Sequence, residues 1–115
     1  WLIKADSHLH DGDNITAAII SSHAFEDLLH QLNIEFGLKF NFRQQGHNQV
    51  FIDYLADNKI INEEHRRILH SLRERRNNFT HRLHLFTMWN KNRQIKEVLS
   101  FIDDVNLLFT SYVKS

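Results

Sequence analysis

The apolar positions divide the chain into four helical stretches and one alternating connection. From Asn14 to about Phe36, the residues Ile15, Ala18, Ile19, Ser22, Phe25, Leu28, Leu29, Leu32 and Phe36 recur at steps of three and four, the period of a helix with one buried stripe. Asp11 and Asp13 stand where a cap and first-turn negative charge help to start it. Leu38, Phe40 and Phe42 alternate instead, as an extended connection over residues 37–46 lying across the core would. Val50, Phe51, Tyr54 and Leu55 give a short second helix ending near Asp57-Asn58. Asn62 followed by Glu63 and Glu64 is a start signal for the third, because the Asn side chain caps free backbone donors and the carboxylates favour the positive helix end. The stripe of this helix runs Ile68, Leu69, Leu72, Phe79, Leu83 and Phe86. A fourth helix, about residues 91–113, carries Ile95, Val98, Leu99, Ile102, Val105, Leu108, Phe109 and Tyr112 on one side. The expected fold is an all-α, antiparallel four-helix up-and-down bundle with an extended loop between helices one and two. Residues 1–13 are expected as a solvated lead-in, and residues 14–115 as a single helical domain.

The third stripe is interrupted. Arg75 and Arg76 occupy the turn where the next apolar residue was due, and two cations there cost stability unless they snorkel, pair or face a cavity that uses them. A second, polar stripe on the same helix reads His70, Glu74, Asn77, His81, His84 and Met88. On an ideal helix Asn77 and His81 lie about 40° apart, whereas Arg76 and His81 lie about 140° apart. One straight helix cannot aim both at one phosphate. Either it bends near Asn77-Asn78, both poor helix formers, or a second copy of the chain completes the site across a symmetry axis.

These residue types suit cleavage of RNA by its own 2′-hydroxyl. A His with an ordinary pKa near ~6.5 can take the hydroxyl proton or supply one to the leaving 5′-oxygen at neutral pH. Arg76 offers a planar, permanently charged fork for the phosphate and for the charge that grows in the transition state. Asn77, both donor and acceptor, can orient the His or bind a phosphate oxygen. Arg73, Arg75, Thr80 and His84 are further candidate substrate contacts, set against a reading of Arg73, Arg75 and Arg82 as a solvated helix face.

Composition narrows the alternatives. With 115 residues of which 42% are hydrophobic, one core is enough, burying roughly two thirds of the unfolded surface. No Pro and three Gly favour long helices over a many-turned β fold. Fourteen basic and fourteen acidic side chains cancel, so any RNA contact is expected to be local rather than a broad basic surface. Without Cys there is no disulfide frame or thiolate metal site. No apolar run approaches the ~20 residues that span a bilayer, and a cytoplasmic location is the expectation. The chain starts at Trp1 rather than Met, as a processed or excised piece of a longer protein would.

Asp6, His8 and His10 resemble the Asp-x-His-x-His opening of amidohydrolase-type enzymes, but those need a barrel of roughly 250 residues to gather their remaining ligands. A carboxylate-bridged metal pair needs Glu-x-x-His spacing, and here Leu29 follows Glu26 and Arg67 follows Glu64. No metal and no cofactor is expected.

Arg76, Asn77 and His81, late in a capped third helix of four, form an Arg-Asn-x-x-x-His pattern that resembles the signature of the HEPN superfamily. The resemblance implies a helical-bundle, metal-independent endoribonuclease of the toxin or defence type. It implies a homodimer whose two motifs line a shared cleft, products ending in a 2′,3′-cyclic phosphate, RNA as partner, and an antitoxin or other regulatory protein. Arg75 also fits the motif with a five-residue gap, so the identity of the key arginine stays open. Leu83 stands where a subgroup of these toxins carries Tyr, so modification at that place is not carried over. The run from Asn58 to His81 is also similar to the mannitol-operon repressor type of helical regulator, which implies a non-catalytic binding and dimerisation module. A nucleotide-sensing or assembly domain of HEPN type is the third alternative.

Overall fold

Six helices make up the described part of the chain, residues 2–42 and 48–113 of the computed structural model. They are α1 (Leu2–His10), α2 (Asn14–Glu35), α3 (Asn48–Asp57), α4 (Glu63–Thr80), α5 (Leu83–Met88) and α6 (Lys91–Tyr112). The protein is therefore all-helical among the described residues, with two more helices than the apolar pattern indicates. Residues 43–47 of the expected connection lie outside the described part.

Residues 2–10, expected as a solvated lead-in, form a helix that buries Ala5 and Leu9. It packs against α2 and α6. Its end is a Schellman turn: Asp13 N–H donates to the His8 carbonyl at 2.7 Å and Gly12 N–H to that of Leu9 at 3.1 Å. Gly12 sits at φ +83°, a left-handed position that costs glycine nothing. Asp13 then caps α2, accepting from Thr16 N–H at 3.2 Å, so one tight corner ends the first helix and starts the second. The same 6→1 and 5→2 pattern closes α2 at Gly37, and α3 at Lys59 with φ +59°.

Helix α2 packs against α1, α4 and α6. Ala17, Ala18, Ala24, Phe25, Leu28, Leu29 and Leu32 are buried along it, together with Ser21 and Ser22, whose hydroxyls donate to carbonyls one turn back. Phe25 of α2, Phe79 of α4, Phe86 of α5 and Phe101 of α6 meet edge to face in a chain, with centroids 5.1–6.3 Å apart, the geometry that aromatic quadrupoles favour. Leu38, Phe40 and Phe42 pack against this core, as their alternation implies. Asn33 clamps the segment by donating to the Phe40 carbonyl and accepting from its N–H, both at 2.9 Å.

The expected third helix is divided. Its ladder ends where the Asn77 carbonyl accepts from both His81 N–H and Arg82 N–H, each at 2.9 Å. The second of these is a five-residue closure rather than the α-helical four. Arg82 leaves helical geometry (φ −120°, ψ 35°) before α5 begins at Leu83. Asn77, Asn78, Thr80 and His81 all have weak helix propensity, so little local preference resists the break. Beyond it, the buried Gln94 holds the corner into α6. Its amide N–H groups donate to the Phe86 and Trp89 carbonyls at 3.0 and 3.2 Å, and its oxygen accepts from Asn14 at 3.0 Å. Asn90 caps α6 through Arg93 N–H at 2.8 Å, and the Tyr112 hydroxyl at the far end is hydrogen-bonded to His65 near the start of α4.

Candidate functional site

The broken end of α4 brings Arg76, Asn77 and His81 together within one chain. Arg73, Arg76, Asn77 and Thr80 share a helix face by their spacing, while Leu69, Leu72 and Phe79 anchor the helix in the core. Arg76 reaches sideways from that face. One terminal nitrogen lies 2.5 Å from Glu26 Oε1 on α2. The other lies 3.4 Å from Asn77 Oδ1 and 3.5 Å from His81 Nε2. The last distance is at the outer limit of hydrogen bonding, so the two groups face each other without being locked. The angular separation on an ideal helix is thus bridged by the length of the arginine side chain, and no second copy is needed for Arg76 and His81 to meet.

Glu26 and Arg76 form a charge contact rather than a directed hydrogen bond. Glu26 Oε1 and Arg76 Nε are both buried without a partner of hydrogen-bond geometry. Their side chains are 32% and 24% exposed, so the pair is partly shielded and its attraction exceeds that of a surface pair. His81 itself is exposed, which leaves it open to an incoming ligand.

Beside this cluster lies a cavity of about 440 Å³. Glu26 of α2 and Phe42 form part of its lining, Asn48 and Gln49 come from the first turn of α3, and Arg73, Arg76 and Asn77 come from α4. Arg73 Nε is buried there with no hydrogen-bond partner. Arg76 is shared between the cavity and His81.

Arg75, one position away, points elsewhere. It contacts Asp104 Oδ2 at 2.5 Å and Ser100 Oγ at 3.3 Å on α6, and lies 5.7 Å from the centre of the Phe101 ring. Its side chain is only 18% exposed. The reading of Arg75 as part of a solvated face is therefore corrected: it is a tie between α4 and α6, away from the cavity and from His81. Thr80 spends its hydroxyl on the Arg76 carbonyl at 3.0 Å. His84 is exposed on α5, beyond the break, so the straight-helix alignment of His81 with His84 does not apply.

No protein-family model, curated protein or solved structure matches the chain. The site is accordingly argued from its geometry. Among the described residues there is no group of three or more His, Asp or Glu side chains arranged to hold a metal ion, and His8 of the Asp-x-His-x-His run pairs with Asp13 at 3.4 Å.

Glu26, Asn48 and Gln49 were not singled out as site residues from the sequence. Glu26 is legible only as a member of the polar side of its helix, because its partner Arg76 lies on another element. A separate polar cluster was also missed. Asp53 Oδ1 on α3 takes His70 Nε2 and Arg66 Nη2 of α4, each at 2.9 Å. The His70 hydrogen bond foremost, with the charges of His70 and Arg66, holds the Asp53 carboxyl below its ordinary value against the opposing effect of burial. This cluster joins α3 to α4 and so helps to position two walls of the cavity.

Proposed function

We propose that the protein is a metal-independent endoribonuclease of HEPN type, built as a four-helix HEPN-like bundle with α1 and α5 added, and that Arg76, Asn77 and His81 act on the scissile phosphate. The observation that carries this reading is the 3.5 Å approach of Arg76 Nη1 to His81 Nε2, with Asn77 beside them. A fixed cation and a titratable imidazole at that separation can grip one phosphodiester between them. His81 removes the 2′-hydroxyl proton, and the 2′-oxygen bonds to phosphorus. The bond from phosphorus to the 5′-oxygen breaks, and that oxygen takes a proton from the imidazolium or from water. Arg76 and Asn77 donate to the non-bridging oxygens as their charge grows. Glu26 holds the guanidinium in place from the other side, as a positioning residue.

A homodimer would set two such clusters across a shared cleft and double the local positive charge, and an antitoxin or other regulatory protein would act by covering them. The Arg–His approach within one chain does not depend on either partner. A second reading is favoured by the Glu26 contact, because an arginine neutralised by a carboxylate is also what a structural network in a mannitol-repressor-like regulatory module would contain.

Incubation of labelled single-stranded RNA with the protein in EDTA separates the two. The endonuclease reading expects fragments ending in a 2′,3′-cyclic phosphate, no cleavage of DNA of the same sequence, and loss of cleavage in a folded His81→Ala variant. Intact RNA across varied substrates would leave the regulatory module as the better reading.

A further inference from the structure

We infer that the cavity beside Arg76 receives one unpaired nucleotide of the RNA, next to the scissile phosphate, and selects its base. The inference rests on the RNA-cleaving reading and assigns the part of the substrate that the Arg76, Asn77 and His81 cluster leaves unspecified.

The cavity's size, about 440 Å³, falls within the roughly 300–1,000 Å³ usual for small-ligand sites. Among the described lining residues are two guanidinium groups, Arg73 and Arg76, and one carboxylate, Glu26; two positive charges less one negative charge leave a single net positive charge. The chain as a whole has a formal net charge of zero, so this charge is local and suits one phosphate group rather than a length of duplex backbone. The Nε atoms of both arginines are buried without a hydrogen-bond partner, whereas buried donors in folded proteins are nearly always satisfied. An incoming acceptor near them would complete the site.

The remaining lining argues for a base rather than a bare anion. Asn48 and Gln49 each bring an amide to the lining, Asn48 with an N–H on Glu26 Oε2 at 3.5 Å, and an amide has the donors and the acceptor that complement a base edge, which carries both. Phe42 adds an aromatic side chain, and unstacked RNA bases are commonly held against such rings while their edges are read by polar groups. A simple phosphate would leave the Gln49 amide unused, and an apolar ligand would strand the charged groups. Because Arg76 reaches both the cavity and His81, a nucleotide seated in the cavity places its own phosphate at the Arg76 end, beside the imidazole. Through its contact with Glu26, Asn48 touches the anchor of Arg76; Gln49, from α3, is the substitution that separates base selection from phosphate chemistry.

The test uses His81→Ala protein, whose cavity lining is intact, titrated by calorimetry with inorganic phosphate and with each of the four nucleoside 3′-monophosphates. One nucleotide should bind saturably, about tenfold or more tighter than phosphate and tighter than the other three, with Gln49→Ala and Arg73→Ala each weakening it by about tenfold, the scale of one good polar base or phosphate contact. Thermal unfolding of each variant, matched to the parent, shows that the fold is kept. Nucleotides binding no better than phosphate, all four binding equally, or binding untouched by Gln49→Ala would overturn the inference even if the wild-type protein cleaves RNA. Tight, base-selective nucleotide binding by a protein that leaves RNA intact would uphold the cavity and remove the cleavage reading.

Discussion

Arg75 and Arg76 are neighbours of the same type on one helix, and they do opposite things. Arg75 is absorbed by α6, held by Asp104 and Ser100 over the Phe101 ring with little of its side chain exposed. Arg76 turns toward α2, pairs with Glu26, and extends its other nitrogen to Asn77 and His81 beside a cavity. One step along a helix is a rotation of about 100°, enough to move a cation from a seam between helices to the edge of an open site. Two arginines that interrupt an apolar stripe therefore need not share a purpose. Here one satisfies the need of a buried seam for a paired charge, and the other leaves donors free for a ligand.

That contrast can be broken by substitution. The largest effect is expected at His81: His81→Ala should lower RNA cleavage by about 10²–10⁴, the usual contribution of a general acid or base, while its exposed position leaves unfolding by denaturant unchanged. Glu26→Ala should have a smaller effect. Releasing Arg76 from its anchor is expected to lower kcat by about tenfold, the scale of ~1.4 kcal/mol of lost positioning, while KM for RNA falls because a negative charge near the phosphate is gone. Steady-state kinetics with Glu26→Gln alongside would show whether the charge or the shape matters. A smaller change is expected from Arg75→Ala, a loss of about 1 kcal/mol of stability in urea unfolding from a partly buried ion pair, with cleavage kept.

The smallest effect concerns acid. The His70 hydrogen bond and its neighbouring charges hold the Asp53 carboxyl below its ordinary value in the folded protein. Its contribution is therefore complete above that ordinary value and is lost as the pH falls through the lowered folded value. Asp53→Asn should flatten the fall in stability as the pH drops below about 4, measured as the urea midpoint against pH. An unchanged slope would remove Asp53 from the acid response.

The local features of the fold are legible in the chain because they are carried by residues close in sequence. Asn62 caps α4 through His65 N–H at 2.8 Å, and the middle of each long stripe buries where its period says, Phe25, Leu28, Leu29 and Leu32 on α2 and Val98, Val105 and Leu108 on α6. Ile15, Phe36 and Leu99 of the same stripes are exposed, and the buried Phe101 lies off the α6 stripe. Helix α1 was hidden because Ala5 and Leu9 are sparse apolar anchors among Asp, Ser and His. The division between α4 and α5 was hidden for the opposite reason: Phe79, Leu83 and Phe86 keep helical period straight across it, and both Phe79 and Phe86 are buried. At the site, Arg76, Asn77 and His81 could be marked from one helix alone. Glu26, Asn48 and Gln49 could not, since what joins them to Arg76 is the packing of α2 and α3 against α4. The choice between Arg75 and Arg76 likewise needed Asp104, which no spacing rule on α4 can supply.

The account turns on which arginine serves the phosphate, and the cleavage rates of Arg76→Ala and Arg75→Ala on the same single-stranded RNA measure that directly. The expected result is a loss of about 10²–10³ for Arg76→Ala, as when one donor to a developing oxyanion is removed, with Arg75→Ala within about threefold of wild type, as for a seam residue whose loss falls on stability. Equal losses in the two variants, or a larger loss for Arg75→Ala, would contradict it.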